Sequence, residues 1–134
     1  MTCAISARDL GKKYGKKWAL QNCTFDLQQG RIAGLVGPNG AGKTTLMNIL
    51  VGLLRPSAGT IRVYGMDPQE SAQKYLPLIG FVSQEKPLYR QMTVADMLKF
   101  GRKTNQRWDQ SIAEYRLQEL DIPMQQKIGE LSGG

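Results

Sequence analysis

The chain has 134 residues, about the size of one domain, and its 41% apolar and 22% charged residues are typical of a folded globular protein. It lacks both an apolar run approaching the roughly 20 residues of a membrane-spanning helix and a segment typical of a signal peptide. The absence of histidine, with two cysteines outside any CxxC spacing, excludes Cys/His zinc sites and histidine-dependent nucleophiles. The net charge of +7 would suit nucleic acid, acidic lipid headgroups or a polyanionic ligand, although we expect most of it to be solvated surface.

The first part of the chain predicts three strands. Residues 4–8 and 18–27 alternate loosely between apolar and polar side chains, as half-buried strands do, and a lysine-rich turn around Tyr14 lies between them. Residues 31–36 (RIAGLV) form a nearly continuous apolar run. This run predicts a strand that is buried on both faces of a parallel sheet.

Two helices and two strands follow in the sequence. Apolar residues recur at helical spacing from Lys43, and Gly52 ends that pattern. Residues 60–64 alternate cleanly and predict a strand with one solvated face. An acidic start at Asp67, followed by proline, predicts a short helix that ends near Tyr75. Residues 79–82 (IGFV) predict a second buried strand.

The last third of the chain predicts helices. Thr93 with Asp96 has the spacing of a capping box, which predicts a helix beginning there. Another helix is expected from about Asp109 to Leu120, with Ile112, Tyr115 and Leu120 directed inward.

The residues expected to bind a ligand lie in a glycine-rich loop. Between the strand predicted at 31–36 and the helix predicted from Lys43 lies the pattern GxxxxGK[ST], made of Gly37, Pro38, Asn39, Gly40, Ala41, Gly42, Lys43 and Thr44. Its glycines permit positive φ angles and let backbone N–H groups approach phosphates closely, and the following helix adds its positive dipole end. The loop therefore predicts a nucleoside triphosphate site for ATP, with Lys43 on the β- and γ-phosphates and the Thr44 hydroxyl on Mg²⁺.

The whole chain resembles the ATP-binding subunit of an ABC transporter. Residues 37–45 (GPNGAGKTT), which include Thr45, match the phosphate loop of that family, and residues 131–134 (LSGG) match the start of its signature motif LSGGQ. Gln84 stands at the position of the family's Q-loop glutamine, and Tyr14 at that of the aromatic that stacks on adenine. These four features also occur in the family's order.

The resemblance implies a role for each matching residue. Tyr14 would stack on adenine, and Gln84 would contact Mg²⁺ and the attacking water. Ser132 and Gly134 would bind the γ-phosphate held by a second nucleotide-binding subunit in a head-to-tail dimer. The segment Glu85–Met92 would face transmembrane permease subunits.

The resemblance also implies an α/β fold of the ABC-type P-loop NTPase class. Residues 1–28 and 57–66 would form an antiparallel β-subdomain, residues 29–56 and 67–84 an incomplete parallel P-loop core, and residues 85–134 the start of a helical subdomain. The sequence ends inside the signature motif, before the family's Walker B aspartate, catalytic glutamate and switch histidine. We therefore expect the chain alone to bind ATP with little or no hydrolysis.

The expected function is ATP hydrolysis that powers transport by a membrane exporter, with the subunit on the cytoplasmic face of the membrane through its partner. No nucleic acid is expected as a partner. Two alternatives stay open. One is a soluble ABC-type ATPase that acts on nucleic acid or ribosomes, which the lysines at 12–17 and the net charge allow. The other is a truncated, non-catalytic ATP-binding product.

Overall fold

A computed structural model describes residues 3–85 and 88–132 of the chain. It divides into two compact units, Met1–Phe81 and Val82–Gly134. The first contains β1 (Cys3–Tyr14), β2 (Lys17–Gln28), α1 (Lys43–Leu50), β3 (Ala58–Val63) and α2 (Ala72–Tyr75), followed by a 3-10 turn at Leu76–Leu78. The second contains α3 (Val94–Thr104), α4 (Gln110–Glu119) and a 3-10 turn at Ile128–Glu130.

The first unit is built on a three-stranded antiparallel sheet with strand order β2-β1-β3. The strands predicted at 4–8, 18–27 and 60–64 are confirmed, although β1 and β2 are longer than predicted. Lys12 pairs with Leu20 and Lys13 pairs with Trp18, so Ala19 is an extra residue on β2. Such a bulge redirects the backbone groups of the bulged residue.

The core of the first unit lies between this sheet and α1. Its buried members come from all three strands and from the helix: Ala7, Leu10, Leu20, Leu46, Ile49 and Ile61. The helix predicted from Lys43 is confirmed, and Gly52 follows it with a φ of 75°. Burying each leucine or isoleucine side chain contributes about 1.5–3 kcal/mol, so this small cluster helps to hold α1 on the sheet.

The two strands predicted for a parallel core are wrong. Residues 29–38 and 79–83 have no regular structure, and the side chains of Ile32, Val36 and Val82 are exposed. A strand exists only when a neighbour completes its hydrogen-bond ladder. Within the described part of the chain, every strand pairing of the sheet joins β1 to β2 or to β3.

The start predicted for the helix after Asp67 is also wrong, although its end at Tyr75 is confirmed. The Asp67 carboxylate accepts a hydrogen bond of 2.9 Å from the backbone N–H of Gln69. This side-chain bond favours an isolated turn over a helix, and α2 begins only at Ala72.

In the second unit, the capping box is confirmed. The Thr93 hydroxyl accepts a hydrogen bond from the Asp96 N–H, and the Asp96 carboxylate accepts one from the Thr93 N–H, both at 3.1 Å. The helix predicted from Asp109 to Leu120 is confirmed as α4, whose first turn is capped by Asp109. Across the two described segments, no helix has the length and apolar character needed to cross a bilayer.

The inward placement predicted for α4 is wrong, because Ile112, Tyr115 and Leu120 are exposed. The apolar residues of α4 are spread around the helix and do not form one stripe, so no single face can be buried. The Tyr115 hydroxyl also donates a hydrogen bond to Glu119, which keeps this ring at the surface.

Candidate functional site

The glycine-rich loop ends where α1 begins. Gly40 and Gly42 have φ angles of 84° and 93°, and the Ala41 N–H donates to the Pro38 carbonyl at 3.2 Å. Gly42 is the N-cap of α1 and offers no side-chain cap. The unpaired N–H groups of the first helical turn are therefore available to a ligand.

The loop is held against β2 at Gly42. A Cβ atom at this position would come within 2.3 Å of the Ala19 carbonyl oxygen and 2.7 Å of the Leu20 side chain. Only glycine fits this approach. The contact is made at the bulge in β2, where the Ala19 carbonyl is outside the regular pairing.

The Lys43 side chain folds back over the loop. Its ammonium group donates hydrogen bonds to the carbonyl oxygens of Gly37 and of Pro38, the latter at 2.7 Å. A positive charge therefore lies beside the N-terminal turn of α1, whose dipole also favours an anion. Thr44 is exposed in that turn, and Thr45 is half-buried.

Tyr14 lies at the end of β1, in the same unit as the loop. Its ring is 52% exposed, and the Lys12 ammonium lies 5.6 Å from the ring centroid. Tyr14 pairs with Lys17, which precedes Ala19 by two residues on β2. At a strand rise of about 3.3 Å per residue, the Tyr14 backbone is thus roughly 7 Å along the strand from Ala19, whose carbonyl contacts Gly42.

The remaining candidates belong to the second unit. Gln84 lies in an exposed turn, and Ser132 is exposed. Gly134 lies outside the described residues, as do Lys86 and Pro87 of the segment predicted to face a permease.

The loop offers an oxygen ligand of the kind that Mg²⁺ prefers. Within residues 3–85 and 88–132, no group of three or more Cys, Asp or Glu side chains could hold a metal ion. Mg²⁺ commonly takes only one or two protein oxygens and completes its shell with substrate phosphates and water. The exposed Thr44 hydroxyl is an oxygen ligand of that kind, one residue from the Lys43 ammonium.

The sequence did not identify the β2 residues that contact the loop at Gly42. Ala19 and Leu20 have no distinctive side chain, and their contact with Gly42 depends on a strand register that no local pattern reveals. The one sequence signal was indirect: the glycine of a GK[ST] pattern must approach some backbone closely.

Comparison with known proteins identifies the family. The family model described as ABC transporter matches residues 20–134. The probable multidrug ABC transporter ATP-binding protein YbhF of Escherichia coli is 35% identical over 92% of this chain. The ribose import ATP-binding protein RbsA of Bacillus licheniformis is 34% identical over 97% of it. The chain spans only 24% and 29% of these two relatives.

Solved structures confirm the predicted fold class. A structure described as the ATP-binding protein of an ABC transporter from Pyrococcus furiosus superposes with a TM-score of 0.77 at 28% identity, over 96% of this chain and 62% of that one. The matched fold is the ABC-type P-loop NTPase domain. The family model, the relatives and the glycine-rich loop at the start of α1 agree, and the chain belongs to the ABC transporter family, in its ATP-binding domain.

Proposed function

We propose that this chain binds ATP together with Mg²⁺ through the loop at residues 37–45. The observation that carries the proposal is the position of the Lys43 ammonium, which is hydrogen-bonded to loop carbonyls beside the uncapped N-terminus of α1. Both features present positive charge and N–H donors to the same place. A polyphosphate is the ligand that satisfies them together.

The loop residues have distinct tasks in this proposal. Lys43 exchanges the carbonyls of Gly37 and Pro38 for the β- and γ-phosphate oxygens. The N–H groups of the first turn of α1, which have no intrahelical partner, donate to the phosphates. The Thr44 hydroxyl would be a ligand of Mg²⁺. When bound, Mg²⁺ would neutralise part of the phosphate charge.

Residues outside the loop complete the proposed site. Tyr14 offers an exposed ring face to adenine. Gln84 holds Mg²⁺ and orients a water molecule. Ser132 and Gly134 contact the γ-phosphate bound by a second nucleotide-binding subunit in a head-to-tail dimer.

The proposed reaction is ATP hydrolysis coupled to transport across a membrane. ABC proteins are ATPases as a family, and we propose that the intact protein works as an exporter subunit, bound to transmembrane permease subunits on the cytoplasmic side. The relatives named above include a multidrug and a ribose import protein and do not distinguish export from import. Support for export comes from the stretch Leu88–Val94, which resembles bacterial exporters and lipid or drug efflux systems more than nutrient importers. We propose little or no hydrolysis by these 134 residues alone, because the site residues include neither a carboxylate nor a histidine to polarise water.

Binding of Mg-ATP by the wild-type chain, with Lys43→Ala as the test variant, examines this proposal. Lys103→Ala, an exposed lysine in the last turn of α3, is the matched control. We expect saturable binding by the wild type and the control, and loss of at least about tenfold in affinity for Lys43→Ala, because a charge-assisted contact contributes about 1.5–3 kcal/mol.

Phosphate release is measured in the same samples. Binding without release supports the proposed division between binding and hydrolysis. Turnover that Lys43→Ala abolishes would show that this chain supplies its own catalytic groups. A folded wild-type chain without Mg-ATP binding would remove the proposed function.

The hairpin between β1 and β2 favours a second candidate, an ABC-type ATPase that acts on nucleic acid. Lys13 lies 5.4 Å from the ring centroid of Trp18, and Lys16 and Lys17 are exposed at the tip. Lysines beside exposed aromatic rings suit single-stranded nucleic acid. RNA binding that weakens steeply with salt, and is lost in Lys16→Glu/Lys17→Glu, would favour this candidate over the transporter.

A further inference from the structure

The C-terminal end of α1 is held by side chains from the segment that precedes the 3-10 turn. The Tyr75 hydroxyl donates a hydrogen bond to the Leu50 carbonyl, and the Gln69 amide donates one of 2.9 Å to the Gly52 carbonyl. Helix C-termini leave carbonyls without intrahelical partners. The Leu50 carbonyl is one of these, and the Gly52 carbonyl lies in the turn just after the helix, so a residue distant in sequence satisfies each of them.

Both contacts are built into the packing of the first unit. Tyr75 is only 1% exposed, so its ring is fixed beneath the helix end. Burial also raises the pKa of the Tyr75 hydroxyl, which therefore stays protonated and able to donate. Gly52 lies so close to buried Pro68 that a Cβ on it would come within 2.8 Å of the Pro68 carbonyl oxygen.

The helix itself has little intrinsic stability. It has eight residues, no side-chain N-cap, no acidic residue in its first turn and no basic residue in its last turn. Isolated helices shorter than about 12 residues are marginal in water. Its position must therefore come from contacts, namely Leu46 and Ile49 in the core, Gly42 against Ala19, and the two hydrogen bonds at its C-terminal end.

We propose that Tyr75 and Gln69 are positioning residues for nucleotide binding, because their hydrogen bonds to the end of α1 keep its first turn in place for the phosphates. This inference rests on the proposed function of the loop at residues 37–45. Neither residue belongs to the loop at residues 37–45. In this proposal, losing either hydrogen bond lets the short helix shift, and apparent affinity falls with the fraction of molecules whose first turn is in place.

The test compares a ligand with phosphates and one without. Tyr75→Phe keeps the buried ring and removes only the donor, and Gln69→Ala removes the second donor at a half-buried position. Tyr64→Phe, an exposed tyrosine in the turn after β3, is the matched control. Affinity for Mg-ATP is measured by calorimetry, and affinity for adenosine by ligand-observed NMR at millimolar concentration. Urea unfolding checks that each variant is folded.

The expected result is a selective loss. Each variant should bind Mg-ATP about two- to tenfold more weakly, as expected for one net hydrogen bond, and adenosine as the wild type does. Loss of stability with unchanged Mg-ATP affinity in both variants would overturn the inference, and so would parallel weakening of both ligands. Should Tyr75→Phe fail to fold, Gln69→Ala decides the question. A wild type that binds no Mg-ATP overturns the proposed function and this inference together, whereas a binding wild type with unchanged variants overturns the inference alone.

Discussion

Gly42 lies directly against the Ala19 carbonyl, and a methyl group on Gly42 would come within 2.3 Å of that oxygen. The contact joins the N-cap of α1 to the bulge in β2. It means that the loop's position is set by the sheet as well as by its own sequence. Two independent features, a φ of 93° and the lack of space, require glycine here.

Gly42→Ala should lower the free energy of unfolding by at least about 2 kcal/mol, since left-handed strain alone costs about 1–3 kcal/mol. Gly40→Ala is the control, because Gly40 has a φ of 84° but nothing within 4 Å of its Cβ position. Urea unfolding of both variants separates the clash from the strain. Equal losses in the two variants would show that the contact with Ala19 adds nothing.

Tyr14→Ala should weaken ATP, ADP and adenosine by a similar factor, because the proposed stacking involves only the base. Base–aromatic stacking contributes about 1–3 kcal/mol, or roughly five- to 150-fold in affinity. Competition binding with the three ligands measures the factor, and Tyr64→Ala, also an exposed tyrosine, is the control. A loss restricted to ligands with more than one phosphate would contradict the stacking role.

Thr93→Ala should lower the free energy of unfolding by about 1 kcal/mol, since it removes the hydroxyl that caps α3. Thr104→Ala is the comparison, because its hydroxyl bonds to carbonyls at the other end of the same helix, outside any capping box. The unfolding of both variants in urea is followed by the helix signal in circular dichroism. Identical midpoints for the two variants would argue against a stabilising capping box.

Acid should weaken the same capping box. The hydrogen bond with the Thr93 hydroxyl, together with the Thr93 N–H, lowers the pKa of Asp96 below its ordinary value. A lowered carboxyl pKa contributes stability that is fully present above the unfolded value of about 3.9 and is lost as the pH falls through the folded value. Asp96→Asn should therefore show a smaller fall in urea midpoint than the wild type between about pH 6 and pH 3.

The Asp109 carboxyl should also contribute to the loss of stability in acid. Its pKa is lowered too, chiefly by the Ser111 hydroxyl, so some acid sensitivity should persist in Asp96→Asn. Glu70→Gln, at an exposed carboxyl, should follow the wild-type profile. If the Asp96→Asn profile coincided with the Glu70→Gln profile, the acid sensitivity could not be assigned to Asp96.

Local signals in the sequence predicted local structure well. Gly52 marked the end of α1, and Thr93 with Asp96 marked the start of α3, because each signal acts within one helical turn. The glycine-rich loop likewise predicted that a helix begins at Lys43. The family assignment from these motifs agrees with the matched family model.

Non-local structure could not be predicted in the same way. The apolar run at 31–36 has the composition of a buried strand, yet composition does not specify a neighbour with which to pair, and the run forms no strand. The bond from Tyr75 to Leu50 joins residues 25 positions apart and leaves no periodic pattern. The roles of Tyr14, Gln84, Ser132 and Gly134 stay predictions.

The pairing of β1 with β2 determines how far the proposed base site is from the phosphate site. Tyr14 and the Ala19 carbonyl belong to the two strands of one hairpin, so their separation changes only when the pairing changes. A shift by one residue would move the ring by roughly 3.3 Å and turn it to the opposite face of the sheet. Only a shift of two residues would keep the ring on the same face, so the span available to a nucleotide changes in two-residue steps, and an insertion or deletion in the hairpin would change which ligand length fits.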